Sequence, residues 1–385
     1  MTSWTKGLLR LFVVLAFLCG PDVVILDWGL SVSLKRLIFL MSVCVLIALF
    51  SKSLKIRIYD VFLYVLLVIS IFLRPGEKLS SVIVADLYNF MTTHMMFLLV
   101  ICVLNKKHVA AEVTNRLMIY ILAIMAGSFL LFILYPILIF EFKDTSGHHM
   151  TLIPFSLTSS IYRLGTITFS RLSFIFDEPG TAGNFFMLVV TSLLLLRNSA
   201  WPKGLYSGLF TFSLSYILWS FCMMVYNIRS MLLSKRLLPF TVGAISLIIL
   251  ALVSNQDVMD YFRKRTLSLF TGTNNRADGN GFALEMISRN ILGASDVEWN
   301  NRVISSSGII PMIAYKGWIF VTLYITFYFR IFLALINLKA PHKGLFAYTL
   351  TFMVIALTRN NLFFASFLLM FFFTLISLGR KSNEV

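Results

Sequence analysis

The stretch RLSFIFDEPGTAGNFFMLVVTSLLLLR, residues 171–197, joins a short acidic, proline-containing segment directly to an apolar block. Apolar blocks of similar length recur along the chain, and roughly 20 such residues cross a bilayer as a helix. Of the 385 residues, 58% are hydrophobic and 13% are charged, whereas about 25% of a soluble domain is charged. The composition therefore predicts an all-α, polytopic membrane protein and excludes a soluble enzyme, a disordered chain and a secreted disulfide scaffold.

The number of membrane spans follows from the apolar blocks and from the basic residues that flank them. The stretch 201–234 is either one long helix or two short helices that break near 213–215. A break leaves Lys203 and the basic pair at 235–236 on the side of Arg197, as the positive-inside rule requires. The count is then twelve spans with both termini cytoplasmic. The other ten spans are placed near 8–26, 36–50, 58–73, 88–104, 117–140, 182–197, 237–254, 317–337, 344–358 and 361–378.

The net charge of +16 raises the question of a nucleic-acid partner. The basic residues do not form one patch, because they lie at the ends of apolar blocks, as in the short turn that carries Lys52, Lys55 and Arg57. Such basic turns set the orientation of a membrane protein. We therefore expect membrane lipids and no nucleic acid as partners, and a single transmembrane domain over 1–385.

Two outer segments are long, the first loop at 141–181 and the second loop at 255–316. Loops of this length in a compact protein are usually functional or disordered, and both keep aromatic and aliphatic residues among their charges. We therefore expect both to be folded and functional. Arg163 and Arg171 lie in the first loop, where an arginine is either an interfacial anchor or a ligand for an anion.

The first loop ends in Asp177, Glu178 and Pro179, directly before an apolar block. The proline ring pushes the preceding Glu178 out of the helical region, so an extended Glu178 is expected where the helix begins. Thr181 can cap that helix, whose N-terminus favours an anion nearby. The alternative is that Asp177 and Glu178 are solvated acids that only cap the helix.

The second loop contains many turn residues between 272 and 281, around Arg276 and Asp278. These Gly, Asn and Asp residues predict a tight, exposed turn that lets the Arg276 guanidinium face outward. Apolar residues after this turn recur at helical spacing, which places Glu285 and Arg289 on another face of an amphipathic helix. Two arginine-bearing loops on one side of the membrane indicate a converging anion site, and arginine suits a diphosphate because it forms bidentate bonds.

The remaining candidate features are weaker. Arg359 lies between the last two spans and is either part of a tight turn or a third contact to the same anion. His148 and His149 are adjacent but have no carboxylate partners at ligand spacing, so we expect no metal. The sequence contains no phosphate-binding or dinucleotide fingerprint, and no cofactor is expected.

Three stretches resemble one protein family. They are RLSFIFDEP at 171–179, NRADGNGFALEMISRNILG at 275–293 and AYKG at 314–317. The first resembles the arginine-to-Glu-Pro signature of Wzy-type O-antigen polymerases and of their O-antigen ligase relatives. The other two are similar to the second outer loop of that family and to the start of the span that follows it. The twelve-span layout with two long outer loops resembles the family over nearly the whole chain.

The resemblance implies a glycosyltransferase of the C-type superfamily in the bacterial inner membrane, with its active loops on the periplasmic side. Such an enzyme transfers a growing glycan from undecaprenyl diphosphate to another lipid-linked repeat unit and releases the carrier diphosphate. A flippase and a chain-length regulator are the implied partners. Because the diphosphate is already a good leaving group, the site must supply cations for the diphosphate and a base for the attacking hydroxyl.

The site residues follow from matching these roles to the two loops. Arg171 and Arg276 are assigned to the diphosphate. Glu178 is either the base or an organiser of the arginines, and the sequence does not separate the two. Further candidates for substrate binding are the arginines Arg163, Arg289 and Arg359 and, in reserve, the acids Asp177 and Asp278.

Four alternatives remain open, and one of them is a structural membrane subunit, which would leave the two long loops unexplained. The ligase relatives generally use a histidine in the second loop, and 255–316 contains none, which favours a polymerase. A capsule or exopolysaccharide polymerase would use the same chemistry on another repeat unit. A lipid-linked oligosaccharide flippase or other transporter would carry charged residues in the middle of its spans, and the predicted spans contain few.

Overall fold

A computed structural model describes the backbone of residues 3–19, 23–26, 30–50, 58–72, 111–143, 149–164, 167–176, 178–211, 213–227, 275–294, 309–358, 367, 368, 370 and 374. These residues are mostly helical, which confirms the helical character predicted from the apolar blocks. They also contain one antiparallel sheet, which the sequence analysis did not anticipate.

The elements follow one another in the order helices, sheet, helices. The helices are α1 (Ser3–Leu18), α2 (Val32–Phe50), α3 (Ile58–Phe72), α4 (Ala111–Leu134), α5 (Pro179–Leu195), α6 (Trp201–Leu209), α7 (Leu214–Tyr226), α8 (Asn275–Arg289), α9 (Ile309–Lys316), α10 (Trp318–Asn337) and α11 (His342–Thr358). The strands are β1 (Phe140–Lys143), β2 (His149–Ile153), β3 (Ser156–Leu164) and β4 (Ile167–Phe174).

Helix α5 is the centre of the bundle. All 17 of its residues are buried, and α4, α6, α7, α11 and β4 pack around it. A helix that is apolar on every side must be enclosed by other elements or by lipid, and here protein encloses it. Two pairs of hydroxyl groups join it to the C-terminal part of the chain: Thr191 bonds Thr351 at 2.8 Å, and Thr374 donates to Ser192 at 2.8 Å.

The turn between α10 and α11 lies at the C-terminal end of α5. Gly344 packs so closely there that an added Cβ would lie 2.9 Å from the Cα of Leu195. The two helices of this hairpin are antiparallel, and the Tyr348 hydroxyl donates to the Tyr328 carbonyl at 3.0 Å between them. The N-terminus of α10 is therefore at the opposite end of the bundle, together with the N-terminus of α5.

The sheet lies at that same end, which we call the sheet end. The ring of Phe129, near the end of α4, stacks on Phe210 with 4.1 Å between centroids. The amide of Leu172 on β4 donates to the carbonyl of Phe210 at 3.1 Å. The sheet end therefore carries the sheet, the turn between α6 and α7, and the first residues of α5 and α10.

The sheet occupies most of the first loop. Its four strands follow one another in sequence order, each antiparallel to the next. The strands contain several Thr, Ile and Phe residues, which suit a pleated surface. The span predicted at 117–140 ends early, because α4 stops at Leu134 and the exposed apolar residues 135–139 lead into β1.

The break predicted near 213–215 is confirmed, since α6 ends at Leu209 and α7 begins at Leu214. The hydroxyl of Tyr216 on α7 holds α7 against α6 by donating to the carbonyls of Gly204 and Leu205, each at 3.0 Å. However, α6 has 9 residues and is about 14 Å long, whereas a bilayer core is about 30 Å thick. Helix α6 is therefore too short to be one of the predicted spans.

Among the described residues, only the helical stretch Ile309–Asn337, of 29 residues, is long and apolar enough to cross a bilayer. Shorter apolar helices cover Met118–Leu134, Pro179–Leu195 and Ser215–Tyr226. The spans predicted at 88–104 and 237–254 lie outside the described residues. The twelve-span count is therefore not confirmed, and α6 is too short to be one of the two spans that this count needs within 201–234.

The variant Gly208→Ala tests the packing of α6 against α7. A Cβ at this position would overlap the ring of the buried Tyr216. We expect Gly208→Ala to lower the free energy of unfolding by about 1–3 kcal/mol, because the ring must move and lose its hydrogen bonds. Thermal unfolding of the purified chain in detergent measures the change.

Gly127→Ala is the matched control, because a Cβ at Gly127, inside α4, would meet nothing within 4 Å. It should leave stability unchanged or raise it by about 0.5–1 kcal/mol, as alanine does in a helix. Equal unfolding temperatures for the two variants would contradict the described packing of α6 against α7.

Candidate functional site

Glu178 lies at the junction between β4 and α5. It is the residue before the first turn of α5, with φ −130° and ψ 141°, and Pro179 opens the helix. The predicted extended conformation is confirmed. Its half-buried side chain makes no capping hydrogen bond to α5, so the alternative of a simple cap does not account for it. The predicted cap Thr181 is wrong, because Thr181 is already inside the helix and buried.

The turn before Glu178 is held by bonds from three directions. Phe174 has φ 56°, a conformation that costs a non-glycine residue about 1–3 kcal/mol and persists only where its surroundings fix it. The amide of Phe174 donates to the Ser156 hydroxyl at 3.1 Å. The amide of Phe176 donates to Ser173, and the amide of Val24 donates to the carbonyl of Ile175 at 2.9 Å. The backbone at 174–176, just before Glu178, is therefore held in place.

Arg163 and Arg171 are described by their backbone positions on the hairpin β3–β4. Arg163 pairs with Thr168, and Arg171 lies three residues further along β4. Alternate residues of a strand belong to opposite faces, so positions 163 and 171 belong to opposite faces of the hairpin. Position 171 also lies across from an irregularity in β3 between Thr158 and Ile161. Of the two, Arg171 is in the same continuous strand–turn–helix segment as Glu178.

Arg276 and Asp278 lie in the first turn of α8 and are likewise described by their backbone. The sequence predicted a tight turn over 272–281, and that prediction is wrong from Asn275 onward, because the helix begins there. An acid in the first turn suits the positive end of the helix dipole. The glycines at 279 and 281 weaken a helix but do not end it.

A backbone clasp joins the end of α8 to the start of α10. The amide of Ala294 donates to the carbonyl of Ala314 at 2.8 Å, and the amide of Trp318 donates to Ile291 at 2.9 Å. Gly293 has φ 102°, and a Cβ there would lie 2.6 Å from the carbonyl oxygen of Tyr315. Gly317 has φ 84° and faces Leu292 equally closely. Only glycine fits both positions.

This clasp gives the family-like stretches NILG and AYKG a structural role. The sequence alone indicates only a family resemblance for these residues. In the sequence, the visible feature is a pair of glycines, Gly293 and Gly317, on either side of a polar segment. The structure explains them, because the two backbones pass too close together for any side chain. The clasp holds α8 at the sheet end of the bundle, because α10 begins there.

Arg289 forms an ion pair with Glu285, one turn earlier on α8. Both side chains are well exposed, with 63% and 47% of their surface accessible. An exposed pair of this kind contributes about 0–1 kcal/mol. The predicted placement of the two residues on one polar face is confirmed, and the Arg289 charge is partly neutralised by its neighbour.

The structure brings Arg171 and Glu178 into one segment and anchors the helix of Arg276 and Asp278 at the same end of the bundle. Arg276 is about 20 Å along α8 from the clasp, at about 1.5 Å per residue. Asp177 and Arg359 lie outside the described residues. His149 is exposed on β2, and His148 is outside the described residues.

A buried polar cluster below Glu178 was missed by the sequence analysis. Asn184 on α5 is fully buried and accepts a hydrogen bond from Ser215 at 3.2 Å, and Ser215 bonds Ser213 at 2.8 Å. The Asn184 amide nitrogen has no partner among the described residues. Polar residues within apolar blocks are costly and often functional, so Asn184 and Ser215 could have been found by that signal.

Among the described residues, no three His, Cys, Asp or Glu side chains lie close enough to hold a metal ion. Comparison of the chain with known protein families, with curated proteins and with solved structures found no match in any of the three.

The clasp is tested by Gly293→Ala. We expect a loss of about 3 kcal/mol or more in the free energy of unfolding, because a left-handed alanine is strained and its Cβ meets backbone that has no room to move. The measurement is thermal unfolding in detergent, together with the amount of protein in the membrane fraction.

Gly281→Ala is the control on α8, since a Cβ at Gly281 meets nothing within 4 Å. It should be neutral or stabilising by about 0.5–1 kcal/mol. Wild-type stability of Gly293→Ala would show that the clasp does not restrain the second loop.

Proposed function

We propose that this protein is an O-antigen or related surface-polysaccharide polymerase. It joins oligosaccharide repeat units carried on undecaprenyl diphosphate at the periplasmic face of the bacterial inner membrane. The observation that carries the proposal is the arrangement at the sheet end. There an extended Glu178 opens the central helix, and the second loop that bears Arg276 is fastened to the start of α10.

The chemistry of the transfer matches the residue types in these loops. When the hydroxyl of the acceptor sugar attacks the anomeric carbon, the bond to the carrier breaks and negative charge develops on the diphosphate. Arg171 and Arg276 stabilise that charge with bidentate hydrogen bonds. Glu178 accepts the proton of the attacking hydroxyl or orients the arginines. Arg163, Arg289 and Arg359 are further candidates for contacts with the diphosphate, and Asp177 and Asp278 are the reserve acids.

A lipid-linked oligosaccharide transporter is the second candidate, and Arg330 favours it. Arg330 lies two-thirds of the way along α10, inside the apolar stretch Ile309–Asn337, and is half-buried. Ionisable groups at such positions often mark transport pathways.

A ligase would attach polymer to an acceptor lipid with the same diphosphate chemistry.

A gel of surface lipopolysaccharide from cells that lack the protein separates these functions. A polymerase defect leaves the core with a single repeat unit and no ladder. A transporter or ligase defect leaves the core with no repeat unit, and long chains retained on the lipid carrier then identify the ligase. An unchanged ladder would exclude O-antigen assembly and direct the same test to capsule or exopolysaccharide.

Glu178→Gln tests the role of the carboxylate. We expect polymer to fall by about 100-fold or more in a complemented deletion strain, because loss of a general base costs about 10²–10⁴ in rate. Glu285→Gln removes an exposed acid of α8 and should leave the ladder unchanged. Normal ladders from Glu178→Gln at wild-type protein levels would remove Glu178 from the site.

Arg171→Ala and Arg276→Ala should each abolish the ladder while the protein still reaches the membrane. Arg171→Lys and Arg276→Lys should restore little, because an ammonium group lacks the planar fork that binds a diphosphate with two bonds. Arg36→Ala is the matched control, because it removes an exposed arginine of α2 that the proposed site does not use. Normal polymer from both alanine variants would contradict a diphosphate clamp.

A further inference from the structure

Lys35 is a buried cation that the proposed chemistry does not use. It lies in the first turn of α2, which Ser31 caps by accepting a hydrogen bond from the Leu34 amide at 3.3 Å. Its side chain is only 3% exposed. A lysine is rarely buried, and a cation at a helix N-terminus opposes the helix dipole. Burying a charge costs free energy unless the charge is hydrogen-bonded.

The Lys35 ammonium group donates to the carbonyl of Val23 at 2.6 Å. The amide of the same peptide unit, on Val24, donates to the carbonyl of Ile175 at 2.9 Å. One peptide group is therefore held on both sides, by a cation at its oxygen and by the junction between β4 and α5 at its nitrogen. A charge-assisted bond is roughly twice as strong as a neutral one, and hydrogen bonds in a chain polarise and strengthen one another.

We call this chain of two hydrogen bonds, from Lys35 through the Val23–Val24 peptide group to Ile175, the relay. Its far end, Ile175, is three residues before Glu178. Ile175 follows Phe174, whose positive φ depends on its surroundings, and precedes the extended Glu178. Val23 and Ile175 are buried, so water does not compete for these bonds. Val24 also packs with Met150 and Leu157 of the sheet. The segment at 23–24 is thus fixed between α2 and the sheet.

We infer that Lys35 is a positioning residue, which holds the turn that carries Glu178 through the peptide group between Val23 and Val24. This inference rests on the proposed function for its catalytic consequence, although the relay itself is a matter of geometry. Lys35 touches no substrate in this scheme. Its removal should misplace Glu178 without weakening the binding of the lipid-linked donor.

The first measurement is hydrogen exchange in the full-length chain, purified in detergent. In Lys35→Met the Val24 and Phe176 amides should exchange about tenfold faster, because the relay is broken, while amides of α5 keep their wild-type rates. Arg36→Met is the matched control, as it removes an exposed cation from the next position of α2. Wild-type exchange at Val24 and Phe176 in Lys35→Met would overturn the inference.

The second measurement is turnover in proteoliposomes. The probe is the lipid-linked repeat unit extracted from cells that lack this protein. Lys35→Met should lower kcat by about tenfold to 100-fold, as small misplacements of a catalytic group do, with KM changed less than about twofold. Lys35→Arg keeps a cationic donor and should restore kcat to within about threefold of wild type. A fall that Lys35→Arg does not reverse would indicate a merely structural role and overturn the inference.

The two measurements separate the inference from the proposed function. Faster exchange in Lys35→Met, combined with wild-type turnover in Glu178→Gln, would reject Glu178 as a catalytic residue and leave the relay supported. The positioning role would be overturned if Glu178→Gln abolished turnover while Lys35→Met showed faster exchange but a wild-type kcat. Lower kcat with faster local exchange supports both.

Discussion

The complete burial of α5 is the constraint on which the rest of the structure depends. Burying a leucine or phenylalanine side chain contributes about 1.5–3 kcal/mol, and α5 buries such residues on every side. Its neighbours must therefore approach from all directions. They do so through small residues: Gly183 faces Ser213, Gly204 faces Val190, and Gly344 faces Leu195. The position of the first turn of α5, and hence of Glu178, follows from this packing.

Three departures from ideal packing lie near the N-terminal end of α5. Phe174 has a positive φ, Asn184 buries an amide nitrogen without a partner among the described residues, and Lys35 buries a cation nearby. Each of these features costs free energy and is kept only where other contacts fix it. Local conflict of this kind is expected at functional sites. The opposite end of α5 carries paired hydroxyl groups and also two residues with positive φ, Arg197 and Lys339.

Two backbone devices hold the loops at the sheet end. The glycine clasp fastens the second loop to α10, and the Lys35 relay fastens the β4–α5 junction to α2. Both engage backbone carbonyl and amide groups, but the clasp requires glycine at 293 and 317, and the relay requires the Lys35 ammonium group. The loops therefore carry their charged residues on a fixed frame, which would lower the entropy cost of binding the proposed diphosphate.

The sequence by itself determined what depends on local sterics and hydropathy. These are the helical blocks, the break before Leu214 and the extended Glu178 before Pro179, which follow from the apolar blocks, from the positive-inside rule and from the proline ring. Only the tertiary structure decided the sheet, which sets positions 163 and 171 on opposite faces, and the helix that begins at Asn275 instead of a turn. Strand register and the partners of Val23, Ile175 and Gly293 depend on contacts between distant backbone atoms. A carbonyl at residue 23 looks like any other carbonyl in the sequence, so its binding of Lys35 could not be read from the side chains.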